Sequence, residues 1–458
     1  MRRTVTALAG LSLVVVTSLA TPRPAAAGVT MIAVTTTVDA IAVDGACSLR
    51  EAVIAANTNA PVDTCPAGSA SELDHIGLLA STYVLTIAGP GEDASATGDL
   101  DLLGSVGIDG PFDGGTAAID AAGLDRAFDV HASANRVFFR NVTIANGAVV
   151  GEDGGAIRLA AGSALDQDGD CTGDLDVELN QAVVRDSVAD RGGGIFAGQC
   201  TNVDAEWSSV VDNSALGDGG GLAMDGEVAG ANFLNSTISG NVAAGRGGGL
   251  WGGGLVTGGL FLTTIAHNQA GQGGGVALEA SSFRSFSIVN SIVADNGGGD
   301  CWLETGQEAD LHYSLDSDGT CGDGPGVIAS ADPLLLPRDT DPVAYRLAPG
   351  SPAIDAADSV CPLGLFEEAD QYHTPRPLDG DGDGEATCDM GSSEAPEIAV
   401  EPTPPPTDVG GGGVTLPDTA LTPRHAPEPS VTFAGLAMLL GAGVLVLQRR
   451  YASADRPS

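Results

Sequence analysis

Along residues 142–296 apolar side chains recur in short phrases interleaved with Ser, Thr, Asn and Asp: "VTIANG", "VVRDSVAD", "WSSVVDNSA", "NSTISGN", "LTTIAHN" and "NSIVADN". Alternation with period two and β-branched apolar residues is the pattern of short strands. Each phrase runs into glycine. "GEDGGAIRLAAG", "ADRGGGIFAGQ", "ALGDGGGLAMDG", "AAGRGGGLWGGG" and "QAGQGGGVALEA" follow one another, and a shorter "NGGGD" closes the series. The last glycines of these blocks stand at 155, 194, 221, 249, 275 and 299, in steps of 39, 27, 28, 26 and 24 residues. A period in the twenties built of short alternating strands predicts a β-solenoid, with coils stacked at the strand spacing of about 4.8 Å.

Such a coil must bend sharply, and bends with positive φ favour glycine, with asparagine tolerated. Asn241, Asn268 and Asn296 recur before the glycine blocks and are expected to stack from coil to coil, bonding to one another and to the backbone. The long step holds an insertion, "GSALDQDGDCTGDLDVELNQ", carrying Cys171, with Cys200 just past the next block. A loop bulging from one coil and stapled by a disulfide accounts for it. Helix pairs are excluded because the phrases are too short and too rich in glycine. One helix is expected, in "CSLREAVIAAN" from residue 47, where Ser48 and Glu51 form a capping box and Leu49, Ala52, Val53 and Ala56 share an apolar face. It reads as an N-terminal cap lying across the first coils.

The ends differ in pattern. Residues 1–27 read as a signal peptide: Arg2 and Arg3, an apolar run, then small residues around Ala27. Residues 28–400 form one β-helix domain including its cap and tail. Residues 401–430 are a Pro/Gly-rich spacer. Residues 431–450 are a sorting and transmembrane helix with a basic end, Arg449 and Arg450, leaving 451–458 as a cytoplasmic tail.

The eight cysteines, Cys47, Cys65, Cys171, Cys200, Cys301, Cys321, Cys361 and Cys388, fit an extracytoplasmic, surface or envelope-anchored chain. Their clustering favours neighbour pairs, 47–65, 171–200, 301–321 and 361–388. The net charge is −41 with no lysine, which excludes nucleic acid and anionic lipid as partners and attracts divalent cations.

"CSLREAVIAAN" resembles the N-terminal signature of the CSLREA-type extracellular bacterial proteins. The "GGGI" and "GGGL" blocks with their Asn phrases, over roughly residues 130 to 300, resemble the repeats of chlamydial polymorphic outer-membrane proteins. That resemblance implies an all-β, right-handed parallel β-helix of the pectate-lyase-like kind. The β-barrel of those proteins has no counterpart here, so autotransport is not carried over. "GSPAIDAAD" through "DQYHTPRPLDGDGDGEATCDMGSSEA" resembles the tail of choice-of-anchor proteins, with Gln371, Tyr372 and His373 in place of the usual Arg-Gly. Pro427, Glu428 and Pro429 before the apolar helix and its arginines resemble a PEP-CTERM signal, which implies a sorting peptidase as partner. "LPDTA" at residue 416 resembles a sortase word and stays open as the alternative.

Chemistry is sparse. "DGDGDGE" at residue 379 places Asp379, Asp381 and Asp383 at alternating positions with a glycine sixth, the first half of an EF-hand-type loop and a candidate calcium site. Met390 stands where the bidentate glutamate belongs, and an acidic solvated loop is the competing reading. Arg140, Arg158, Arg185 and Arg191 with Asp186 and Asp190 are the charges along the coils that a polysaccharide lyase or hydrolase would draw on, yet corner positions explain them as well. His267 reads as a turn residue. Trp251, set among glycines, is expected either exposed as a sugar platform or buried at a coil end. No catalytic residue is assigned. The reading is an exported surface β-helix with an adhesion or structural role and a polysaccharide or cell-surface ligand as partner. A carbohydrate-active lyase or hydrolase is the alternative, and a purely structural envelope layer is the third.

Overall fold

The computed structural model describes residues 30–397, except 90, 113, 161, 163, 167–169, 280–282, 305–308, 341 and 359–368. Its strands form a parallel β-helix: every pairing between strands is parallel. Three long sheets run along the axis. Sheet I has ten strands, from Thr30–Ala33 to Asp310–His312; sheet II has ten, from Thr82–Val84 to Ile328–Ala329; sheet III has eight, from Leu100–Leu102 to Cys301–Leu303. One coil shows the order. Thr201–Glu206 lies in sheet I, Ser209–Val211 in sheet II, Ser214–Ala215 in a three-stranded ladder and Leu222–Met224 in sheet III, before Glu227–Leu234 re-enters sheet I.

The alternation of the sequence becomes columns of side chains. Ile144, Val184, Val210, Ile238, Ile265 and Val293 are in register on sheet II and fully buried. Ile157, Ile195, Leu222, Leu250 and Val276 repeat this on sheet III. Each such side chain contributes about 1.5–3 kcal/mol by leaving water.

The glycine blocks are explained only partly by bending. Gly247 has φ of +64°, but a Cβ on Gly248 would lie 2.6 Å from the carbonyl oxygens of Gln269 and Gly274, and one on Gly249 2.6 Å from that of Gly275. The first glycine turns the chain; the next two let adjacent coils touch backbone to backbone. The bend between sheets I and II, expected to use glycine or asparagine, is made in four coils by Gln181, Trp207, Leu262 and Tyr313, with φ between 44° and 52°. A bulky residue in that left-handed well costs of order 1–3 kcal/mol, which the flanking ladders offset.

The asparagine ladder forms as expected, extends one coil further to Asn213 and ends on Asp300 in the coil of Asn296. Asn213 Nδ2 donates to Asn241 Oδ1, Asn241 to Asn268, Asn268 to Asn296 and Asn296 to Asp300, at 2.9–3.0 Å. Outside the coils a charged ladder marks the residue before the first four glycine blocks, Asp153, Arg191, Asp218 and Arg246. Arg191 reaches back to Asp153 and Arg246 back to Asp218. Their guanidiniums lie over Phe196 and over Trp251 and Trp302. Trp251 is accordingly buried between Ala223 and Ala277, not offered as a platform.

Helix α1 (Leu49–Thr58) carries the expected Ser48–Glu51 capping box and packs against Thr30–Ala33, Asp74–Gly77 and Leu100–Leu102. The disulfides Cys47–Cys65, Cys171–Cys200 and Cys301–Cys321 form as the neighbour rule expects. They suggest an extracytoplasmic protein. Cys388 is disulfide-bonded, whereas Cys361 lies outside the described residues.

The described residues among 331–397 fold back along the outer face of sheet II without adding a long sheet. Gln371 reaches the backbone of Ser208 and the hydroxyls of Ser209 and Thr237. Tyr345 bonds Ser239, Ser392 bonds Thr264, and the His373 ring lies tilted against Trp207. Inside the tail, buried Arg376 pairs with Glu394 at 3.2 Å and donates to the carbonyls of Asp389 and Gly391. Among the described residues no helix is long and apolar enough to cross a membrane. The signal peptide, the spacer, the sorting residues Pro427, Glu428, Pro429, Arg449 and Arg450, and the helix at 431–450 lie outside them.

Candidate functional site

A cleft opens at the N-terminal end of sheet III, where the outward positions of three successive coils are charged. Asp101 faces Asp129 and Asp129 faces Arg158 in register. Helix α1 sets the first of these coils. Arg50, fully buried and paired with Asp39, donates to the carbonyls of Ser95, Gly98 and Asp99, so the loop carrying Asp99 is fixed by the helix. Asn57 then clasps the strand itself, donating to the carbonyl of Asp101 and accepting from the Leu103 N–H. Helix α1 and the cleft are therefore one construction.

The cavity measures about 430 Å³ and is lined by Gly91, Glu92, Asp93, Asp99, Arg126, Asp129, Gly151, Glu152, Asp153 and Arg158. That volume falls in the range of small-molecule sites, ~300–1,000 Å³. Arg126 lies at its floor. It donates to Asp99 at 3.0 Å, stands 3.6 Å from Asp129 and holds Glu152. Arg158 grips Asp129 through Nε at 2.9 Å and a second nitrogen. His131 bonds Asp101 at 3.1 Å, and Asp101 also accepts from the Ser95 N–H.

Charge crowding sets the electrostatics. Burial, then the nearby Asp125, pushes the Asp99 carboxyl up to about 7 despite Arg126 beside it. Arg126 holds Glu152 below the usual carboxylate range. The hydrogen bond to Asp101 raises His131. The Arg126 Nε is buried and has no hydrogen-bond partner among the described residues.

Of the charges singled out in sequence, Arg158 belongs to this cleft and Arg191 borders it through Asp153. Arg140 pairs with Asp109 on sheet I, and Arg185 with Asp186 at an exposed corner, so these charges do not converge on one site. His267 is a turn residue, with φ of 57° and its ring against Tyr345. In the tail, ligand atoms of Asp379 and Asp381 come together with Asp355 within 4.8 Å; Asp383 is outside that group. Two further trios share this spacing: Asp93, Asp101 and His131 beside the cleft, and Asp300, Asp316 and Asp318 at the end of the asparagine ladder.

No family model and no curated protein matches the chain. Among solved structures, the crystal structure of pectate lyase Pel9A is similar, with a TM-score of 0.41 and 11% identity over 80% of this chain and 96% of that one. The likeness carries nothing about activity. The parallel β-helix rests on the strand register of this chain.

Proposed function

We propose that this is an exported surface β-helix that engages an extracellular polysaccharide through the cleft on sheet III, in an adhesive or structural role. One observation carries the reading. Each buried carboxylate on the cleft floor is already committed, Asp99 to Arg126 and Asp129 to Arg158, and Asp101 beside it is held by His131 and the Ser95 N–H. Such a floor holds its shape and offers oriented donors and acceptors to hydroxyl groups, without a base poised to take a proton. The capping role of α1, the right-handed sense of the coil, sorting through residues 427–450 and calcium at Asp379 and Asp381, with Asp355 beside them, belong to the same proposal.

A hydrolase is the second reading. It is favoured by Asp99, pushed up to about 7 and sharing Arg126 with Asp129, because a protonated acid beside a second carboxylate is the pairing glycoside hydrolysis uses.

The purified protein is incubated with neutral, basic and acidic polysaccharides, with and without calcium, while retention, reducing ends and unsaturated uronates are followed. Retention without new ends is expected. Turnover would replace adhesion with hydrolysis or lyase chemistry, and neither retention nor turnover would sink the polysaccharide cleft.

A further inference from the structure

The cleft's lining is chemically narrow. All ten residues are Gly, Asp, Glu or Arg, with six carboxylates against two guanidiniums. The excess is four negative charges, or three when Asp99 holds its proton. Both guanidiniums are spent on carboxylates of the cleft itself. The remaining negative charge concentrates at the rim, where Asp93 stands exposed and Glu92 half-buried; the Glu92 oxygens accept the N–H groups of Ala94 and Thr97. At the floor, the Arg126 side chain is only 5% exposed, and its Nε lacks an acceptor among the described residues.

An occupant that satisfies both ends must bring an oxygen to the floor and a positive charge to the rim. A uronate or phosphate polymer brings the wrong charge to a chain already at −41. A neutral sugar supplies the oxygen and leaves the rim unmatched. A lysine-rich peptide supplies the charge, but its alkyl stems meet no apolar side chain in this lining. We infer that the cleft selects polysaccharides bearing free amino groups, with sugar hydroxyls toward Arg126 and the ammonium beside Glu92 and Asp93. The inference rests on the polysaccharide reading above and narrows it to one class.

The test is calorimetry on the purified protein with glucosamine oligomers, their N-acetylated counterparts, galacturonate oligomers and lysine oligomers. Glucosamine oligomers are expected to bind about tenfold tighter than the acetylated ones, with added salt closing the gap. In Glu92→Gln/Asp93→Asn, which removes both rim charges, that ratio is expected to fall to near one. Equal binding of the two glucosamine series by the native protein would overturn the amino-sugar selection and leave the polysaccharide reading standing. Tighter binding of galacturonate or lysine oligomers would overturn the selection as well, and no saccharide binding at all would overturn both.

Discussion

The coiled body and the docked tail solve the same problem by opposite means. In the body one solution is repeated. Each coil offers an apolar column inward, an asparagine at the bend and a glycine block at the closest approach, and the coil above answers with the same residues. In the tail each contact is made once: Gln371 with sheet II, Tyr345 with Ser239, Arg376 with Glu394. Repetition spreads stability over many equivalent links, so that no link is indispensable. Single contacts concentrate it, above all in a buried ion pair whose partners have no substitute.

That contrast breaks most readily at Arg376. Arg376→Met leaves Glu394 buried without its cation, and losing one partner of a buried pair costs about 3–5 kcal/mol. Hydrogen exchange is expected to show residues 370–395 losing protection while the three sheets keep theirs. Simultaneous loss in both regions would mean that body and tail are one cooperative unit. A smaller effect is expected at Asn241→Ala. The change removes the acceptor used by Asn213 and the donor given to Asn268 and to the Val210 carbonyl. Destabilisation of about 1–3 kcal/mol is expected in denaturant melts, confined by exchange to the flanking coils.

The gentlest probe is pH. Asp316 and Asp204 in the body are pushed up to about 6 by burial, as is Asp389 in the tail, and Glu394 is pushed up to about 7. With Asp99 also near 7, these groups bind protons more tightly folded than unfolded. Their contribution is greatest below about pH 4 and is lost as pH rises through 6 and 7. Thermal melts at constant ionic strength are expected to give a higher midpoint at mildly acidic than at mildly alkaline pH. A flat profile across that window would show that the buried carboxylates are compensated by bound cations.

What was legible in the chain follows the same division. The coil period, the inward columns, the asparagine ladder, three disulfides and the Ser48–Glu51 cap all announce themselves through spacing, because a repeated or local interaction leaves a repeated or local pattern. The left-handed corners at Trp207, Leu262 and Tyr313 do not, since stacking overrides the preference those residues have on their own. The cleft is equally silent. Its floor joins Asp99, Arg126, Asp129 and Arg158, residues that become neighbours only once three coils are in register. A partial signal existed in Arg50, an arginine beside the apolar face of helix α1, whose burial fixes the loop bearing Asp99. In the tail, Glu394 and Arg376 sit in two separate conspicuous words, "MGSSEA" and "TPRP", and nothing in either word says that they meet.

The asparagine ladder also has a direction. Asn213, Asn241 and Asn268 each hand a hydrogen to the oxygen of the next coil, and Asn296 ends the relay on Asp300, four residues on in its own coil, which accepts and has no amide to pass on. An extra coil inserted between Asn213 and Asn296 would receive a proton donor below and present one above, so the body is open to lengthening by duplication at its centre. Beyond Asp300 the relay has nothing to hand forward. Coil number in this protein is thus a quantity that can change in whole units from within, while the point at which counting stops is written into a single carboxylate.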